Sequence, residues 1–284
     1  MRRVFATIAY DGTSFYGYQF QQGLRTVQGE LETALQRIFK KAVETYVAGR
    51  TDTGVHAYGQ VVTFRVAYRT MSDSDVVNAL NANLPQDIYV RKVWTVPDAH
   101  NPRFLATRRV YHYYILNTRE PNIFLQSRFW WFPYSLDVPS MRQAARFFEG
   151  VHDFTTFQKT SRGEEKDPVR MVYRVRVFRL QRRKILLVRV EGHSFLRRMV
   201  RNMVGALVRV GTGQWPPENI RKVILERNRA ASSTCAPPQG LYLHHVDFSQ
   251  VDMASAIKRS TWSENHLLEG KVWFPADILP SLLS

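Results

Sequence analysis

The chain has 284 residues, 44% of them hydrophobic and 13% aromatic, enough to bury a substantial core in one large domain or two moderate ones. No stretch approaches the roughly 20 uninterrupted apolar residues of a membrane-spanning helix, and a single cysteine, Cys235, excludes an intrachain disulfide framework and fits a reducing cytoplasm. Forty Lys and Arg against 24 Asp and Glu leave a net charge of +16, which points to a polyanionic partner, and nucleic acid is the commonest one.

Residues 4–10 alternate and stop at the turn signal Asp11-Gly12, so the opening reads as a first strand rather than a secretion signal. Thr26 is placed to cap a helix whose apolar positions Val27, Leu31, Leu35, Ile38 and Phe39 recur near a period of 3.6. Strands are expected over residues 61–66 and 87–96. Between them a helix should run over residues 72–80, opened by Ser72 and Asp75 in a capping-box pattern and stopped before Pro85. A boundary is expected near residues 97–102, dividing a first half (1–100) from a second (101–248). The second half should hold a strand at 109–117, a helix at 141–148 closed by Gly150, and a hairpin of 169–180 with 185–190 around residues 181–184. A long helix at 195–210, a helix containing 220–225 and a last strand at 241–248 follow. Hairpin strands mixed with helices that cover one sheet face make an α+β fold. Residues 249–284 form an extension with Trp262, Trp273 and Phe274, and carry no assigned role.

The motifs narrow the chemistry. None of the eight histidines forms an H-x₃₋₅-H pair, and Cys-x-x-Cys and HExxH are absent. No Gly-x-Gly-x-x-Gly occurs; Gly49 and Gly54 have phosphate-loop spacing, but Val55-His56 replaces Lys-Ser/Thr. No Gly-x-Ser-x-Gly elbow is present. These absences argue against a metal- or nucleotide-driven enzyme. What remains is Ala48-Gly49-Arg50-Thr51-Asp52-Thr53-Gly54-Val55-His56-Ala57, a loop in which two glycines free the backbone to present one carboxylate beside a cation. Such a carboxylate suits nucleophilic or general-base work. On local chemistry alone, an Asx-type turn made by Thr51 and Asp52 is the stronger reading.

Two further segments shift that balance. Residues 192–205 read as a strand end entering a helix, with Arg197 and Arg201 one turn apart and Phe195, Met199 and Met203 facing the core. Residues 159–209 hold 15 Lys and Arg against 4 Asp and Glu. In Arg108-Arg109-Val110-Tyr111-His112-Tyr113-Tyr114, Tyr111 and Tyr113 share one strand face and His112 and Tyr114 the other. Aromatics flanked by arginines suit stacking on an extruded base, and equally suit a half-buried strand.

Taken together, the chain resembles the TruA-type tRNA pseudouridine synthases. The resemblance is carried by Tyr10-Asp11-Gly12, Gly17-Tyr18-Gln19, Val27-Gln28, the segment Gly49 to His56, Asn81-Ala82-Asn83-Leu84-Pro85, Arg103-Phe104, Tyr111, Met199-Val200-Arg201-Asn202 and Gly240-Leu241-Tyr242-Leu243, in family order over residues 3–248. It implies two α+β halves whose antiparallel sheets join into one larger sheet, with helices on one side and a basic catalytic cleft between the halves. It implies an isomerase that converts uridines at positions 38–40 of the tRNA anticodon stem-loop to pseudouridine by base flipping, as a cytoplasmic homodimer without metal or cofactor. Asp52 would be the catalytic carboxylate, held by Arg50 and Arg201, and Tyr111 the tyrosine stacked on the target uracil. Tyr18, Arg108, Arg109, Arg197 and Arg198 are the candidate RNA-contacting residues. The family usually carries Trp where Tyr18 stands and often Arg where Phe20 stands; Tyr18 can still stack, but Phe20 cannot bind phosphate. A non-catalytic RNA-binding protein or tRNA-folding chaperone would need the basic face and the tyrosines but not Asp52, and a ribosome-associated structural protein would need neither.

Overall fold

A computed structural model describes residues 1–67, 70–159, 167–180, 184–231 and 234–248. The expected extension over 249–284 and the hairpin turn residues 181–183 lie outside them. In chain order the elements are β1 (Arg2–Tyr10), α1 (Val27–Phe39), β2 (Tyr46–Val47), β3 (His56–Val66), α2 (Asp73–Asn83), β4 (Ile88–Val96), α3 (Pro102–Leu105) and β5 (Ala106–Leu116). They continue with β6 (Trp130–Trp131), α4 (Val138–Arg146), β7 (Gly150–Asp153), β8 (Val169–Leu180), β9 (Ile185–Gly192), α5 (Met199–Gly211), α6 (Asn219–Glu226) and β10 (Leu241–Phe248).

Local chemistry accounts for the helix starts. Thr26 accepts the Gly29 N–H at the head of α1, and Lys40 closes that helix in the left-handed region at φ 56°. Ser72 and Asp75 exchange both bonds of the capping box at α2. Three of the boundaries that shift have a visible cause. β3 begins at His56, five residues before the apolar run, because His56 and Ala57 pair with Tyr242 and Leu243 of β10. α4 starts at Val138 and ends at Arg146, because Asp137 caps it and Pro139 suits its first turn. α5 starts at Met199, not Phe195, because Arg198 takes a left-handed φ of 61°. The chain before it turns back over β9, where Gly192 leaves room: a Cβ there would lie 2.8 Å from Phe195 Cζ.

The strands form one ten-stranded sheet in the order β4-β1-β3-β10-β5-β9-β8-β7, with β2 added on β3 and β6 on β5. Neighbours are antiparallel except for two pairs, β3 with β10 and β5 with β6, so the sheet is mixed. The β3–β10 pair is the seam where the first-half strands meet those of the second half. All the longer helices cover one face. Their cluster is continuous across the seam, from Phe5, Leu31 and Phe64 to Tyr113, Met203 and Leu207. The opposite face carries a smaller cluster, Tyr114, Leu116, Leu125, Phe129, Ile185, Leu187 and Tyr242. Among the described residues, no helix is long and apolar enough to cross a membrane.

Candidate active site

The loop between β2 and β3 carries Asp52 and is held by backbone approach. Ala48 N–H donates to the Val61 carbonyl (2.9 Å), and Gln60 Nε2 donates to the Gly49 carbonyl (2.6 Å). Tyr18 N–H bonds the Thr51 carbonyl (3.1 Å), and the Tyr10 hydroxyl meets Thr51 Oγ1 at 2.8 Å. Val55 N–H bonds the Asp52 carbonyl (3.1 Å), closing a turn over residues 52–55 in which Gly54 takes φ 74°. Gly12 makes the fit possible, since a Cβ there would lie 2.1 Å from the Val55 carbonyl oxygen. Gly12 N–H donates to His56 Nδ1 (3.0 Å), which leaves Nε2 as the donor to the Ser127 carbonyl (3.1 Å). This is a backbone turn and not the Asx-type turn that local chemistry favours: the Thr51 hydroxyl meets Tyr10 and the Asp52 side chain points elsewhere.

It points to Arg201. Arg201 NH1 donates to Asp52 Oδ2 at 3.1 Å, joining side chains 149 residues apart across the seam. The Arg201 side chain is 9% exposed and that of Asp52 25%. Arg201 Nε donates to the Ala236 carbonyl (2.8 Å), and Ala236 N–H returns to the Arg201 carbonyl (3.2 Å). The guanidinium thus splits its fork between a carboxylate and a carbonyl and does not grip Asp52 with two bonds. α5 itself is buried almost all round, and its polar Asn202 donates to the Phe157 carbonyl.

Tyr111 lies beside this pair, 7% exposed, with the Phe195 ring edge-on at a centroid distance of 5.2 Å. Burial pushes its hydroxyl up to about 12; the neighbouring Arg109 cation opposes the rise and the Asp52 carboxylate adds to it. At neutral pH the group is a phenol, able to donate a hydrogen bond. Tyr111 and Tyr113 face the main core and Tyr114 the smaller cluster, as strand alternation requires.

Other candidates fall elsewhere. Arg50 is exposed and makes no ion pair with Asp52 among the described residues, so in this conformation Arg201 alone holds the carboxylate. Tyr18 is 1% exposed, packed into the core beneath the loop, and presents no ring to a base. Arg109 is 6% exposed, with its donors turned inward to carbonyls and not outward to phosphate. Arg108 is ion-paired to Asp247 and to the buried Glu191 on the opposite sheet face. Arg197 is exposed and Arg198 half-buried, at the head of α5. Among the described residues no three His, Cys, Asp or Glu side chains gather to hold a metal. No sequence motif marks Ala236 as an acceptor. Arg109 was readable as inward-facing, because it stands two residues before Tyr111 on the same strand face.

Known proteins supply an independent comparison. A family profile described as tRNA pseudouridine synthase matches residues 6–104 and 144–249. The tRNA pseudouridine synthase A of Thermotoga maritima is 53% identical over 248 residues, covering 87% of this chain and all of that one. That of Pseudothermotoga lettingae is 56% identical over the same extent. Among solved structures, a chain of a Cbf5-Nop10-Gar1 complex overlays with a TM-score of 0.31 at 13% identity, covering 72% of this chain and 54% of that one, too little to bear on function.

Proposed function

The chain belongs to the tRNA pseudouridine synthase family, and from that premise we propose that it isomerises uridines at positions 38–40 of the tRNA anticodon stem-loop, with Asp52 as the catalytic carboxylate. The observation that carries the reading is the Asp52–Arg201 pair, a partly exposed carboxylate fixed by a buried cation with Tyr111 alongside. A protein that only bound RNA would gain nothing from an acidic group there, since phosphate would be repelled.

The reaction detaches uracil from C1′ and rejoins it through C5, with no net change in composition, so no redox centre or energy source is called for. A uridine stacked in the stem must first be flipped out, at a cost of a few kcal/mol, which backbone contacts by the basic face offset. Asp52 then attacks the ring or C1′, or takes a proton from C2′. Tyr111 and the edge of Phe195 form the floor on which a detached uracil can turn before C5 bonds to C1′. By the end Asp52 has released the bond or proton it took, C5 has lost its proton and N1 has gained one. Arg197 and Arg198 are the remaining candidates for phosphate contact. Three further parts of this reading rest on the resemblance: the halves 1–100 and 101–248 as units, a homodimer across which the tRNA lies, and a cytoplasmic location.

The test compares wild type with Asp52→Asn on an unmodified tRNA carrying uridines at 38–40, mapping pseudouridine and measuring tRNA binding. Product from wild type alone, with binding retained in the variant, is expected. Binding without product by wild type, over a broad set of tRNAs, would leave an RNA-binding protein on an enzyme scaffold.

A further inference from the structure

Among the described residues, Arg109 is a buried cation without a carboxylate partner in its hydrogen bonds. Nε and NH2 donate to the Ala48 carbonyl (3.2 and 2.8 Å), NH2 to that of Arg103 (3.0 Å), and NH1 to those of Ala106 (3.3 Å) and His193. A guanidinium has five N–H groups, and five bonds to four carbonyls use all of them. Nothing is left over for a phosphate. Burial at 6% exposure is costly for a charge, and among the described residues the hydrogen bonds that offset it all come from carbonyl oxygens.

The four carbonyls are far apart in sequence and belong to the parts that build the site. Ala48 opens the loop that carries Asp52. Arg103 and Ala106 belong to α3 and the start of β5, the strand that carries Tyr111. His193 follows β9 and leads through Phe195 into α5, which carries Arg201. The side chain also lies under the loop: a Cβ on Gly49 would stand 3.6 Å from Arg109 Nε and 3.8 Å from the Tyr111 hydroxyl.

We propose that Arg109 is a positioning residue for the isomerisation, a single guanidinium that sets the Asp52 loop, the Tyr111 strand and the lead into the Arg201 helix at fixed separations. This rests on the catalytic reading of Asp52. A misplacement of about 1 Å among such groups can cost on the order of a hundredfold in rate, so the clamp acts on chemistry and not on affinity. Lysine at this position would keep the charge but lose the reach, because an ammonium is a point donor that cannot span four carbonyls.

The experiment is single-turnover release of tritium from a tRNA labelled at C5 of its uridines, with excess enzyme, for wild type, Arg109→Lys, Arg109→Met and Asp52→Asn. Rate constant and amplitude are read separately, alongside tRNA affinity at several salt concentrations. The expected result is a rate constant about tenfold lower in Arg109→Lys at full amplitude, with affinity and salt slope unchanged; tenfold corresponds to about 1.4 kcal/mol. A merely structural residue would lower the folded fraction, read by circular dichroism and thermal unfolding, and leave the rate constant at saturating enzyme intact. That outcome overturns the proposal, as does an unchanged rate constant or a weakened affinity with a salt slope flatter by about one. If Arg109→Met does not fold, Arg109→Lys decides. Activity in Asp52→Asn would instead overturn the catalytic reading beneath it.

Discussion

Replacing Arg201 by Met removes the cation that faces Asp52 while keeping much of the side-chain volume. With the charged atoms 3.1 Å apart, the pair is worth roughly 5 kcal/mol at an effective dielectric near 20. Water reaches Asp52, whose side chain is a quarter exposed, and recovers part of that in the variant. A net loss of about 2–4 kcal/mol follows, which is roughly 30- to 1000-fold in the rate constant for the chemical step. Arg201→Lys keeps a charge but can meet either Asp52 or the Ala236 carbonyl, not both, and should fall between wild type and Met. Single-turnover conversion of an unmodified tRNA, with thermal unfolding measured in parallel, separates catalysis from stability. A Met variant within threefold of the wild-type rate constant would refute the idea that this pair prepares the carboxylate.

Three other outcomes follow from the geometry. His112 and His244 stack at 3.9 Å in the sheet, and burial holds His112 well below the ordinary histidine range and pushes His244 down to about 4. Both fold as neutral rings while the unfolded chain takes up protons near pH 6.5. Their stabilisation is therefore complete above that pH and lost as pH falls toward 4. His244 alone should cost about 2 kcal/mol between pH 7.5 and pH 5, and an unchanged urea midpoint over that range would count against it. Gly12→Ala drives a methyl into the Val55 carbonyl and should destabilise by about 3 kcal/mol, with an activity loss beyond what the melting temperature explains; a variant that melts and turns over like wild type would show that the loop has slack. Affinity for tRNA should fall steeply with salt, and Arg197→Ala should flatten the logarithmic slope by about one. A slope the variant leaves untouched would remove Arg197 from the interface.

Where a signal was local, the sequence carried it to the residue. The capping box at Ser72 and Asp75, the cap at Thr26 and the alternation of β5 each depend on neighbours within one turn or one pleat. The boundaries that moved depend on distant partners. β3 starts at His56 because β10 pairs with it nearly 190 positions later, and no periodicity in residues 56–60 announces that. α5 starts late because Arg198 adopts a positive φ that its residue type disfavours.

The site shows the same division. Asp52 could be singled out from its loop and Arg201 from its helix, but their contact spans 149 positions and exists only once the seam is closed. Arginine types were the hardest to assign, because a charge at a half-buried position can serve phosphate, carboxylate or carbonyl. Composition counts them alike. The fold separates them: Arg201 turns to a carboxylate, Arg109 to four carbonyls, Arg108 to a salt bridge on the far face, and Arg50 and Arg197 to the exterior. The basic charge that first suggested an RNA partner is thus divided between residues facing the exterior and residues that hold the Asp52 loop. An alternation argument applied to Arg109 as well as to Tyr111 would have found the second use, because a charged residue on the core face of a strand must satisfy its donors inside the protein.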